Sequence, residues 1–151
     1  ITAANASSIS DGASALVLAN GDALGERKPL AKIIGHATYS IHPSEFTLAP
    51  IGAIQKLVEK IGWDLASVDL FEINEAFAMV TMLTIQELGL DPARVNVHGG
   101  ACAQGHPIGS TGSRLIVTLA HAMKNQGKQR GIAALCIGGG EATAIALERT
   151  R

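Results

Sequence analysis

The chain has 151 residues, enough for one domain with its own core. Its composition, 47% hydrophobic, 17% charged and 3% aromatic, means that this core must be built from Ala, Val, Ile and Leu. Twelve basic and thirteen acidic residues give a net charge of −1, which offers no field to draw a nucleic acid or an anionic membrane, and the apolar runs fall short of the roughly 18 residues that a membrane span needs.

The first residue is Ile1, and the run TAANASSISDG after it reads as a continuation of preceding chain, so the lack of a legible leader says little about targeting. A strand is expected over 13–20 (ASALVLAN), followed by a polar turn, GDALGERKP, that marks a boundary near 27/28. The pattern then predicts a strand over 30–38, a helix over 50–61, a strand over 68–73 and a helix over 75–88. It continues with a strand over 94–97, a helix over 113–125 and strands over 131–137 and 142–148. Residues 28–151 therefore read as an α/β domain, a mixed five-stranded sheet in β-α-β-α-β-α-β-β order with helices on both faces. Helical crossovers imply parallel pairing, and the short GGGE link implies a closing antiparallel hairpin. The strand over 13–20 is one too many and is assigned to another sheet.

The helix over 50–61 opens on Pro50 and carries Ile51, Ile54, Leu57, Val58 and Ile61 on one face, the pattern of a surface helix on a sheet. The stretch AFAMVTMLTI, 76–85, has no charge on any side, and RLIVTLAHAM, 114–123, is nearly as apolar. Helices apolar all round must be covered all round, which predicts a second layered unit against them. The basic run KNQGKQR, 124–130, follows a helix and reads as cations at its C-terminus.

Residues 99–112, GGACAQGHPIGSTG, hold five glycines and are expected to join a strand to a helix, the kind of loop that lets backbone approach a ligand. His106, between Gly105 and Pro107, sits on a fixed backbone that suits a chemical role. NEAFA (74–78) and CIGGG (136–140) follow other strands and are expected at the same sheet edge. Alone, Asn74 could be a helix N-cap and Cys136 a core residue; their occurrence with His106 on one edge points to a site. Cys102 reads as a small buried residue and His98 as a structural hydrogen-bonding one. A zinc set of His98, Cys102, His106 and Cys136 lacks compact spacing, and GHPIGSTG lacks both a P-loop lysine and a GxGxxG. Cys102 and Cys136 form no disulfide framework, which points to a reducing, cytoplasmic setting.

NEAFA, GGACAQGHPIGSTGSR and CIGGGEATA resemble the C-terminal signatures of the thiolase family, and TAANASSISDGASAL resembles the segment closing that family's N-terminal half. The resemblance implies an acyltransferase that condenses or cleaves short-chain (3-oxo)acyl-CoA, with coenzyme A thioesters as substrates and no cofactor or metal. It also implies two similar halves packed face to face in a homodimer or homotetramer, with residues 1–27 as the last strand of the N-terminal half. Carried over by motif, Cys136 is the acid/base and its thiol pKa is expected to be pulled toward neutrality. His106 and an Asn74-held water make one oxyanion hole, and the backbone N–H of Gly138 serves a second. Ala3, Ser7, Phe46, Ala76 and Phe77 line the substrate channel, with Phe46 in place of the usual methionine. The nucleophilic cysteine is not supplied by this chain, since Cys102 matches an apolar position. The generally found second histidine of carrier-protein condensing enzymes is replaced here by Asn74. The other reading is a non-catalytic fragment acting as an assembly or folding unit.

Overall fold

The computed structural model, which describes residues 1–150, contains a mixed sheet of four strands rather than five, in the order β1-β4-β3-β2. The strands are β1 (Ala31–Ser40), β2 (Leu70–Ile73), β3 (Arg130–Ile137) and β4 (Glu141–Arg149), and a short helix, α1 (Gly21–Leu24), precedes β1. β2 and β3 are parallel, from Leu70↔Gly131 to Ile73↔Ala134, whereas β4 runs antiparallel to both β3 and β1. The closing hairpin is thus the one expected from GGGE.

The missing strand is 94–97, and the cause is local. Pro92 opens a 3₁₀ turn (Pro92–Arg94), capped by the Asp91 carboxylate, which accepts from Ala93 N at 2.9 Å. Val95 makes a single bridge to Phe71, after which Asn96 turns away at φ +48°, a left-handed conformation that Asn tolerates better than most residues. The Asn96 amide replaces the absent ladder: Ile73 N donates to its Oδ1 at 2.8 Å, and its Nδ2 donates to Ile73 O at 2.9 Å. One side chain therefore satisfies the edge of β2, and the loop at 99–112 follows a turn instead of a strand.

Alternation along the strands divides the core between two faces. On one face, Ala53, Ile54 and Leu57 of α2 (Ala49–Ile61) pack with Phe71, Ile73, Ile132, Ala134, Ala144 and Ala146, and Ile85 and Leu88 of α3 (Ala78–Leu88) close that cluster. On the other, Leu115, Leu119 and Met123 of α5 (Ile108–Asn125) pack with Leu70, Ala133 and Leu147. Helices thus lie on both faces. α3 begins at Ala78 rather than 75, because the chain before it is extended and paired with the N-terminal segment: Ala6 bridges Phe77, and Ser7 N donates to Ala76 O at 3.1 Å. Its uncharged surface is covered only in part, with Val80, Thr81 and Thr84 buried and Met82 66% exposed. α5 starts at Ile108 instead of 113, preceded by the short helix α4 (Ala101–Gln104).

Residues 13–20, expected as a strand, join no ladder among the described residues, and Val17 is 99% exposed. The segment from Ser8 to Ser14 runs across the carboxyl edge of the sheet. There His106 N donates to Ser8 O at 3.1 Å, and Ser14 Oγ lies 2.8 Å from Ser110 Oγ. Among the described residues no helix is long and apolar enough to cross a membrane.

Candidate active site

Asn74 follows the last residue of β2, and its N–H extends the parallel ladder by donating to Ala134 O at 2.9 Å. Its side chain is 1% exposed. Cys136 is the penultimate residue of β3 and is also buried. Because Ile73 pairs with Ala134, Asn74 stands opposite Leu135 and Cys136 lies one step beyond. At ~3.3 Å per residue and ~4.8 Å between strands, the Asn74 and Cys136 α-carbons are then roughly 6 Å apart.

His106 reaches the same edge from the loop before α5. Gly105 precedes it at φ +88°, and a Cβ there would run into the Ser10 side chain, so a bare, left-handed residue is what allows the approach. The ring is held at both nitrogens: Nε2 lies 3.3 Å from Asn74 Nδ2, and Nδ1 lies 2.7 Å from Thr111 Oγ1. Asn74 Oδ1 is buried with no hydrogen-bond partner among the described residues, an acceptor beside the imidazole. Burial, helped by the Arg114 guanidinium, holds the His106 pKa below its ordinary value.

Burial pushes the Cys136 thiol up, and its backbone N–H opposes this only in part. This corrects the expected shift toward neutrality: the resting group is a thiol, since the charged form is poorly solvated in a mostly covered site. Cys102 departs from expectation differently. It is exposed on α4 rather than buried, with its N–H donating to Glu75 Oε2 at 3.0 Å and its thiol pKa raised by burial and then by Glu75. His98 is exposed, and its carbonyl accepts from Gln104 Nε2 at 2.9 Å. Among the described residues no three His, Cys, Asp or Glu side chains stand together as a metal site.

The channel residues gather in part. Ser7 Oγ donates to Ala76 O at 3.0 Å, and the Phe46 and Phe77 rings meet edge to face with centroids 6.0 Å apart. Ala3 lies upstream in an exposed 3₁₀ turn (Ala3–Asn5). Gly138 is exposed at the β3–β4 turn, and Gly140 packs against the backbone of Ile41–Pro43 with its carbonyl accepting from Ile41 N at 2.7 Å.

Sequence reading missed the polar groups beneath this edge. Asn96 Nδ2 donates to Glu75 Oε1 at 3.2 Å, and Arg114 Nη1 donates to Gln104 Oε1 at 2.7 Å. Glu72 is 3% exposed, and burial, countered by Arg114 and reinforced by Glu75, pushes its carboxyl up to about 7. A carboxyl titrating at about 7 when folded and 4.5 in its ordinary state holds its proton more tightly in the folded chain. Its stabilising effect is complete below the lower value and is lost as pH rises toward the upper one, about 3 kcal/mol in all. Denaturant unfolding at about pH 5 and pH 8 should show that loss in the parent; in Glu72→Gln the slope should flatten and stability near pH 8 should rise. An unchanged slope would show that Glu72 is not the group responsible.

The fold is an α/β one in which Asn74 and Cys136 lie at the carboxyl ends of the parallel strands β2 and β3, with the His106 ring against Asn74. The chain belongs to the thiolase family: residues 27–149 match the thiolase C-terminal domain. Mouse cytosolic acetyl-CoA acetyltransferase is 49% identical over 151 residues, covering 99% of this chain and 38% of the mouse protein. A Synechocystis acetyl-CoA acetyltransferase is 51% identical, with the same two coverages. The solved Acat5 thiolase of Ascaris suum in complex with coenzyme A superposes with a TM-score of 0.95 at 49% identity, over 99% of this chain and 39% of that one. The chain thus spans less than two-fifths of the length of these relatives.

Proposed function

We propose that this chain is the enolate-forming part of a thiolase-type acyltransferase acting on short-chain (3-oxo)acyl-CoA, for example by condensing acetyl-CoA to acetoacetyl-CoA. The observation that carries the reading is the buried Asn74 amide 3.3 Å from the His106 ring, at the carboxyl edge where β3 ends with Cys136. Once its own proton has passed to the coenzyme A sulfur released in the acylation step, Cys136 takes the α-proton of the thioester: the C–H bond breaks, an S–H bond forms and the electron pair moves onto the thioester oxygen. That oxygen is stabilised by His106 as donor and by a water held on Asn74, because an enolate forms only where donors are already aimed at the developing charge. The Gly138 N–H serves the acyl group on a nucleophilic cysteine that an N-terminal thiolase half supplies. Ala3, Ser7, Phe46, Ala76 and Phe77 line the path of the acyl-CoA. Residues 1–27 reach into that half, and the whole forms a homodimer or homotetramer in the cytoplasm with coenzyme A thioesters as substrates rather than cofactors.

The test is reconstitution. This chain alone should form no acetoacetyl-CoA from acetyl-CoA, and the same chain joined to its N-terminal half should form it. If the joined protein folds and assembles but does not condense, the chain is an assembly unit and the proposal fails.

A further inference from the structure

Glu75 stands between Asn74 and Ala76, where β2 has ended and the chain is paired with the N-terminal segment. Its carboxylate turns toward the Gly-rich loop and is held there by two donors. Oε2 accepts from Cys102 N at 3.0 Å, and Oε1 accepts from Asn96 Nδ2 at 3.2 Å. The other hydrogen on that amide goes to Ile73 O, so the Asn96 side chain joins the end of β2 to the carboxylate. Gly100 supplies the seat: a Cβ there would run into the Glu75 carboxyl carbon and both its oxygens, although the φ of −123° at Gly100 is open to any residue. What excludes a side chain at 100 is therefore the carboxylate and not the backbone.

The consequence lies one turn further on. A glycine at the N-cap has no side chain with which to satisfy the first N–H groups of α4, and no side-chain cap bond is present there. Glu75 reaches in from the end of β2 to do so, and it puts negative charge at the helix start. α4 runs only over Ala101–Gln104, too short to hold its shape alone. It closes on Gly105, whose N–H donates to Ala101 O, directly before His106. Glu75 thus follows Asn74 along the chain and anchors the turn that delivers His106.

We propose that Glu75 is a positioning residue, a clamp between β2 and α4 that sets the separation of Asn74 from His106. This deepens the reading of those two as the enolate's oxyanion hole and rests on it. Both carboxylate oxygens are engaged by loop donors, so Glu75 acts through its neighbours. Without it, Cys102 N and one Asn96 hydrogen lose their acceptor, and the loop is free to move against the strand. A shift of about 1 Å in a reacting group costs about a hundredfold in rate, so the effect falls on the step that uses the pair.

The test is a double-substitution cycle in the complete enzyme, this chain joined to its N-terminal half, with Glu75→Ala, Gly100→Ala and the two together. Glu75→Ala should lower kcat for condensation by roughly tenfold to a hundredfold, the scale of losing a supporting partner, while KM stays near the parent's. Gly100→Ala should do the same, because the new methyl group expels the carboxylate. In the double variant the seat is already empty, so the methyl should cost nothing further and kcat should equal that of Glu75→Ala. Glu75→Gln, which keeps one acceptor, should fall between Glu75→Ala and the parent. Single-turnover acylation from a donor thioester should keep the parent's rate in every variant, which a general loss of stability would not allow. The ring ¹H–¹³C signals of His106, identified by their absence in His106→Gln, should shift in both single variants, and this readout needs no turnover. Losses that multiply in the double variant, or a Glu75→Ala enzyme with the parent's kcat and unshifted ring signals, would overturn the proposal; should Glu75→Ala not fold, Glu75→Gln and Gly100→Ala decide. Shifted signals in a protein that cannot condense would sink the functional reading and leave the clamp standing, whereas unshifted signals in an active enzyme would sink the clamp alone.

Discussion

Replacing Cys136 by Ala in the complete enzyme should stop condensation while the protein still takes an acyl group from a donor thioester. The substitution removes one sulfur from the end of β3, where Cys136 is buried opposite Ala142, and leaves the ladder intact. Backbone pairing fixes this residue's position, so losing the thiol should take away the proposed proton carrier without disturbing its neighbours. In the proposed reading the acylation step runs on a different cysteine and needs no α-proton. Single-turnover labelling with a radioactive acyl donor, followed by a condensation assay, separates the two steps: label should remain on the variant and acetoacetyl-CoA should not form. A variant that condensed at the parent's rate would refute the assignment of Cys136 as the base.

His106→Ala should slow condensation by about a hundredfold or more, the usual cost of removing one oxyanion donor. The loss extends beyond one hydrogen bond, because the ring is the common partner of Asn74 and Thr111. Steady-state condensation rates at saturating acetyl-CoA check this, and Asn74→Ala should fall in the same direction by a smaller factor. A His106→Ala enzyme within a few-fold of the parent would place the oxyanion's donors elsewhere.

How much of this was legible in the sequence depended on whether the cue was local. α2 was readable because Pro50 stands at its start and its apolar face repeats at helical spacing; the structure adds Gly62, which closes it at φ +70°. β3 and β4 were readable because GGGE leaves too little chain for anything but a hairpin. The strand at 94–97 was misread because RVNV has the apolar alternation of a strand. Pro92 before it and the left-handed Asn96 within it end the pairing after one residue, and the Asn96 amide takes over the hydrogen bonds. The starts of α3 and α5 were misplaced because contacts from residues 6–14 set them, and no window of local sequence contains both partners.

At the site, Asn74 and His106 were nameable by motif, yet their 3.3 Å contact depends on the sheet register and on Gly105. Thr111 carried no signal of its own, because a threonine in a Gly-rich helix start looks like a solvent-facing residue until the helix is seen to begin at Ile108. Glu72 was hidden for a similar reason. VDLFEI reads as a strand with two polar positions, Asp69 and Glu72, and only the coverage by α5 makes the second an interior carboxyl.

The central claim is that Asn74, His106 and Cys136 make one proton-abstracting site. It is tested most directly by the uptake of solvent deuterium at the α-carbon of acetyl-CoA in the complete enzyme, followed by mass spectrometry. The parent should wash deuterium in, His106→Ala and Asn74→Ala should do so more slowly, and Cys136→Ala should leave the methyl group unexchanged. Exchange at the parent's rate in Cys136→Ala would contradict the account.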